Sequence, residues 1–209
     1  MDPTAWAAFA AASTALLLIP GPTVLLVTSY ALSQGRRVAV AGALGVALGD
    51  LVAMSASLAG LGALVLASAT LFTALKWAGA AYLVWMGWRL WRTAGDGVPG
   101  TSGVPGTVPA GEVFRHAALV TALNPKSIAF FIAFVPQFVD PARPLGPQFA
   151  LLVGTFVGLA ALNALAYALL ADRMRAGLAR PGVLRWITRG GAAALIAMGA
   201  ATALTRRAA

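Results

Sequence analysis

GAAYLVWMG at residues 79–87 and GAAALIAMG at residues 191–199 are two versions of one segment. Gly79/Gly191, Ala80/Ala192, Ala81/Ala193, Leu83/Leu195, Met86/Met198 and Gly87/Gly199 are identical pairs. Upstream of each copy an apolar run is interrupted by a helix breaker, Pro20-Gly21-Pro22 in the first half and Asn124-Pro125 in the second. Interrupted apolar segments at corresponding positions of two halves point to the binding site of a secondary transporter.

The duplication extends beyond this segment. An offset of 103 places Pro22 on Pro125 and Gly21 on Asn124, whereas 113 places Gly45 on Gly158 and Asp50 on Asn163. The offset changes at the connection that follows each broken segment. That connection is short in the first half (Gln34 to Val38) and long in the second (Asp140 to Pro147). A loop insertion of this size costs little closure entropy.

Composition sets the class. Hydrophobic residues make up 60% of the 209 and charged residues 10%. Mean hydropathy is +0.84, and a soluble domain carries about 25% charged residues. The expected chain is an all-α integral membrane protein. Six apolar segments are read, at 4–33, 38–63, 66–92, 114–138, 147–171 and 184–204; a span needs ~20 residues. The first is too long for one straight span, so it is expected to kink or break. The expected architecture is six transmembrane helices built as two inverted three-helix repeats with broken first and fourth helices. The repeats are 1–93 and 114–209, joined by a Gly/Pro-rich flexible linker over 94–113. Three spans per copy force the second copy to enter from the opposite side.

The net charge of +9 raises nucleic-acid binding. Most arginines, however, flank apolar runs, where they act as topology signals. Arg36, Arg37, Arg89, Arg92, Arg115, Arg173, Arg175, Arg180, Arg185 and Arg189 fall on one side, and Arg143, Arg206 and Arg207 on the other, with Lys76 near its edge. This bias places both termini outside the cytoplasm. No Lys or Arg precedes the first apolar stretch, so it reads as a retained helix and not a cleaved signal. The chain has no cysteine and one histidine, His116, which removes thiolate and His-rich metal sites. No Gly-Lys-Ser/Thr motif suggests ATP drive. No cofactor is expected.

Three polar features sit at bilayer depth: Asp50 in the second segment, Lys126 in the fourth, and the backbone groups freed at Pro20-Gly21-Pro22. A charge at a helix centre costs ~2.5–3.5 kcal/mol on insertion scales, so each needs a partner or a water-filled cavity. Asp50 reads as a substrate- and proton-binding carboxylate, or as a structural acid paired with Lys126. Burial and a neighbouring cation move a carboxylate's proton affinity in opposite directions. Alternation between such environments loads and releases a proton. Lys126 reads equally as a snorkelling or charge-neutralising residue. The half-helix starting near Thr23 offers a positive end to a carboxylate. Asn124 offers hydrogen bonds to backbone or substrate. The expected substrate-binding set is Gly21, Pro22, Thr23, Asp50, Asn124, Pro125, Lys126 and Asn163, and it suits a zwitterion. Gly42, Gly45 and Gly49 read as a packing seam, and Trp77, Tyr82, Trp85, Trp88 and Trp91 as belt or packing residues.

Three stretches carry a family resemblance: PGPTVLLVTSYALSQGRRVAVAGALGVALGDLV at 20–52, LKWAGAAYLVWMGWRLWR at 75–92 and NPKSIAFFIAFVPQFVDP at 124–141. In order and spacing they resemble the LysE/RhtB family of bacterial amino-acid exporters. The resemblance implies export of a small amino acid or related metabolite across the bacterial cytoplasmic (inner) membrane by a multi-pass protein, driven by the proton gradient. Its Gly-Pro motif falls on Gly21 and Pro22, and its Asn-Pro-Lys motif on Asn124, Pro125 and Lys126. Asp50 matches an acid of the lysine/arginine exporters. Their second acid, shortly after Asn-Pro, is replaced here by Phe130, which favours the threonine/homoserine branch. The expected partners are a small amino-acid substrate, a proton as coupling ion, the lipid bilayer and, as an option, a second copy in a homo-oligomer. A cation or metal transporter of similar layout is the competing reading, although hard cations want several oxygens. A membrane enzyme lacks any nucleophile–base pair or paired acids.

Overall fold

The computed structural model describes residues 1–19, 21–67, 69–92, 108–178 and 181–204. Most of the expected linker, together with Arg180, Arg206 and Arg207, lies outside them. The described residues form α-helices and one 3-10 turn, with no strand. The helices are α1 (Pro3–Leu18), α2 (Pro22–Gln34), α3 (Arg36–Ala67), α4 (Ala69–Arg92), α5 (Ala110–Ala122), α6 (Pro125–Ala133), α7 (Leu145–Leu178) and α8 (Pro181–Leu204). A 3-10 turn at Val135–Phe138 extends α6.

Both breakers act as read. α1 stops at Leu18 and α2 resumes at Pro22, with a bend of 57° between them. α5 stops at Ala122 and α6 starts at Pro125, with a bend of 44°. Proline opens each second piece because its missing N–H and fixed φ suit the first helical position. Gly35, at φ 80°, joins α2 directly to α3. The equivalent connection before α7 is longer, and Gln148 fills it by bonding the backbone of Asp140, Arg143 and Pro144. Ala110, Gly111, Glu112 and Val113, grouped with the linker from sequence, are instead the first residues of α5.

Two stretches, Arg36–Gly60 of α3 and Leu145–Leu170 of α7, are long and apolar enough to cross a membrane. Two more spans follow if each bent pair is one span, giving four. The remaining two expected spans, α4 and α8, are 24 residues each but do not join this set. Lys76, Arg89, Arg92 and four tryptophans dilute the apolar content of α4, as Arg185, Trp186 and Arg189 do in α8. Leu44, Leu48, Leu51 and Val52 on α3, and Leu151, Leu162, Leu169 and Leu170 on α7, are exposed. Aliphatic faces of this extent suit lipid.

Inside, Phe9, Phe130, Phe131, Phe134, Phe138 and Phe156 form an aromatic cluster that ties α1, α6, the 3-10 turn and α7 together. The glycine seam packs α3 on α5. A Cβ on Gly45 would lie 2.3 Å from the Phe114 carbonyl oxygen, and one on Gly49 would lie 2.5 Å from that of Ala118.

The duplicated segment makes a reciprocal contact between α4 and α8. A Cβ on Gly87 would meet the Ala192 carbonyl and Ile196; a Cβ on Gly199 would meet the Ala80 carbonyl and Val84. Each partner is the repeat equivalent of the other. The late glycine of one helix faces the early part of its counterpart, so the helices run antiparallel.

Outside the spans, Asp2 caps α1 and accepts from the Thr4 hydroxyl and amide. These bonds hold its carboxyl below the usual range.

Candidate functional site

A helix that ends leaves its last four carbonyls without intrahelical acceptor duty. At the end of α1 they are met from the other half of the chain. Lys126 Nζ donates to the Leu16 and Ile19 carbonyls, both at 3.2 Å. Asn163 Nδ2 donates to Leu17 at 3.1 Å, and the Tyr167 hydroxyl to Leu18 at 3.5 Å. The ammonium is thus placed against the negative end of the α1 dipole. α1 ends at Leu18, and α6 and α7 meet it at the break.

The two resumed helices begin differently. Asn124 caps α6 with its own side chain, Oδ1 accepting from Lys126 N at 3.1 Å. Its amide donates to Thr23 Oγ1 at 3.3 Å, and that oxygen lies 3.3 Å from Thr121 Oγ1. At α2 the cap position is Gly21, so no side chain covers the first amides. This end keeps an open partial positive charge.

Asp50 is 3% exposed. It is not in ion-pair contact with Lys126: among the described residues the one ion pair is Arg143–Asp140, at the surface. Nor does the Asp50 carboxylate accept a hydrogen bond among them. The two charges still attract each other across the cavity they share, while the Lys126 head donates to the α1 carbonyls.

These groups surround one cavity. Gly21, Thr23, Asp50, Asn124, Lys126 and Asn163 line it, six of the eight expected residues. Pro125 does not line it; Pro22 and Pro125 are the first residues of α2 and α6. Thr121 and Ser127 also line it, and neither was singled out from sequence. Tyr167 was missed as well, though it stands one turn after Asn163 on the same face of α7. The cavity measures about 30 Å³, room for one or two waters. Ligand pockets are ~300–1,000 Å³, so an organic solute enters only when the helices around the break separate.

Asp50 and the α2 end give the cavity one anionic and one positive pole, with hydroxyl and amide groups between. No group of three or more His, Cys, Asp or Glu gathers among the described residues, so this donor set does not suit a metal ion.

A family model for LysE type translocators matches residues 14–206. The chain is 34% identical over 203 residues to a homoserine/homoserine lactone efflux protein of Salmonella typhimurium, covering 97% of this chain and 98% of the relative. It is 35% identical to an uncharacterized membrane protein of Vibrio cholerae, over 88% of this chain and 89% of the relative. It is 32% identical to a leucine efflux protein of Salmonella choleraesuis, over 67% and 66% respectively. No solved structure matches. The family match over nearly the whole chain and the full-length relatives agree: this protein is a transporter and not an enzyme, and it belongs to the LysE type translocator family.

Proposed function

We propose that the chain is a secondary exporter of small neutral amino acids, of the homoserine/threonine class, acting in a bacterial cytoplasmic membrane. One observation carries the reading: a buried carboxylate that makes no hydrogen bond or contact ion pair among the described residues, Asp50, shares a cavity with the uncapped N-terminus of α2. Asp50 receives the substrate ammonium or, between substrates, a proton. The Thr23 and Val24 amides receive the carboxylate, aided by Lys126. Thr23, Thr121, Asn124 and Ser127 offer hydroxyl and amide partners to a short polar side chain. A single buried acid leaves a dibasic substrate with one cation unpaired, which costs more than a neutral side chain. The name of the Salmonella typhimurium relative supports the same substrate class.

In this reading six segments span, as two inverted repeats with both termini outside. The antiparallel, reciprocal α4–α8 contact supports that arrangement, because inversion sets equivalent helices antiparallel. Opening of the break on alternate sides carries substrate across, and proton return through Asp50 drives it.

The test is exchange and gradient-driven uptake in proteoliposomes with labelled homoserine, threonine, leucine and lysine. Homoserine or threonine moves, responds to an imposed pH gradient, and is lost by about 10- to 100-fold in Asp50→Asn, the scale of one charged hydrogen bond. Wild-type rates in Asp50→Asn, or a folded protein that moves none of the four, defeats the proposal.

A further inference from the structure

We propose that the α4–α8 pair carries a binding site for one anionic phospholipid, separate from the cavity at the helix breaks. A groove of about 630 Å³ runs between the two helices, lined by apolar and indole surface that includes Trp77, Trp85, Trp88, Ile196 and Ala203. Trp77, Trp85 and Trp88 are each about half exposed. From Trp77 to Trp88 is ~16 Å of helix at 1.5 Å per residue. That is the depth of one leaflet of a hydrocarbon core ~30 Å thick.

The groove has a charged end. Helical spacing keeps Trp91 and Arg92 on the α4 face that carries Trp77, Val84 and Trp88. The same spacing keeps Arg185 and Arg189 on the α8 face that carries Ile196 and Ala203. The helices are antiparallel, so these arginines converge at one end. The geometry bears this out: the Arg92 guanidinium lies 5.0 Å from the Trp88 ring, and that of Arg189 lies 5.4 Å from the Trp91 ring. Among the described residues no carboxylate pairs with Arg92 or Arg189. Arg189 Nε is buried and has no hydrogen-bond partner. Stacking on indole leaves the donor edges of a guanidinium free for an oxyanion.

An apolar slot one leaflet deep, closed by guanidinium groups that pair with no carboxylate among the described residues, complements a phosphodiester on an acyl chain. A zwitterionic lipid brings its own cation to the same place and loses the advantage. A second copy of this chain would bring its own arginines to this end, adding like charge.

The experiment uses the full-length protein, stripped of lipid in mild detergent and offered equimolar phosphatidylglycerol and phosphatidylcholine in mixed micelles, with retained lipid counted by native mass spectrometry. Phosphatidylglycerol is retained in preference. Its retention falls about fivefold for each arginine removed in Arg92→Gln and Arg189→Gln. Ala200→Trp, which fills the groove and keeps both arginines, also loses the lipid. Thermal melting reports that each variant is folded. Equal retention of the two lipids, or undiminished preference in the folded double arginine variant, overturns the site. Displacement of the lipid by inorganic phosphate alone reduces it to a simple anion site and overturns it too. Disulfide cross-linking of Trp88→Cys copies in the lipid-stripped state makes the groove a protein interface instead.

Discussion

Asp50 and Asn163 stand at equivalent positions of the two halves and line the same cavity, yet only Asn163 is engaged, its amide holding the Leu17 carbonyl at 3.1 Å. The asymmetry separates their roles. One keeps the broken helix in place, and the other faces the cavity without a hydrogen bond among the described residues. Asn163→Ala leaves a half-buried carbonyl without this donor and lowers stability by ~1 kcal/mol. Asp50→Asn is nearly isosteric and breaks no hydrogen bond or contact ion pair seen among the described residues, so its melting temperature in detergent stays level or rises while transport is lost. Thermal melts of the two variants side by side check this. A destabilised Asp50→Asn protein contradicts the assignment.

Lys126 caps α1 through two carbonyls at once. Lys126→Met removes both donors and loosens the break, whereas Lys126→Gln keeps an N–H₂ that reaches at least one of them. Protection of the break against proteolysis should therefore rank wild type above Gln and Gln above Met. Equal protection in all three would mean that the bonds to Leu16 and Ile19 do not hold the break.

The glycine seam breaks the repeat's symmetry. Gly45 abuts the Phe114 backbone, while its counterpart Gly158 has nothing within 4 Å of a Cβ. Gly45→Ala overpacks a backbone contact and costs ~1–3 kcal/mol. Gly158→Ala is neutral or stabilising by up to ~1 kcal/mol through helix propensity. Urea titration of both variants in detergent distinguishes the two positions.

Gly87 and Gly199 make the same contact from opposite sides. Gly87→Val and Gly199→Val therefore lose stability to a similar extent, ~1–3 kcal/mol each. The double variant loses less than the sum, because one separation of α4 from α8 relieves both clashes. Strict additivity in melting experiments would show two independent contacts.

Much of this site was legible because breakers and buried charges are rare in apolar sequence. Pro22, Pro125, Asp50 and Lys126 announce themselves against an aliphatic background, and the offset of 103 relates the two prolines. Thr121, Ser127 and Tyr167 do not. Hydroxyl residues are ordinary in apolar helices, where the backbone satisfies them, so only their meeting in space marks them out. The bond from Lys126 to the α1 carbonyls was equally hidden, since it joins residues more than a hundred positions apart. The alternative of an Asp50–Lys126 pair rested on opposite charges at similar depth; the two do interact, but the hydrogen bonds of Lys126 go to the carbonyls at the end of α1. In α4 and α8, the arginines and tryptophans read as topology and belt signals also define a groove that no linear pattern displays.

The contact between α4 and α8 has the form of a two-fold interface within one chain. It is isologous: residue i of one helix touches j of the other, and the equivalent of j touches the equivalent of i. One three-helix unit already carries both sides of such a contact and needs no partner but its own twin. Two identical chains inserted in opposite orientations could dock by this seam alone.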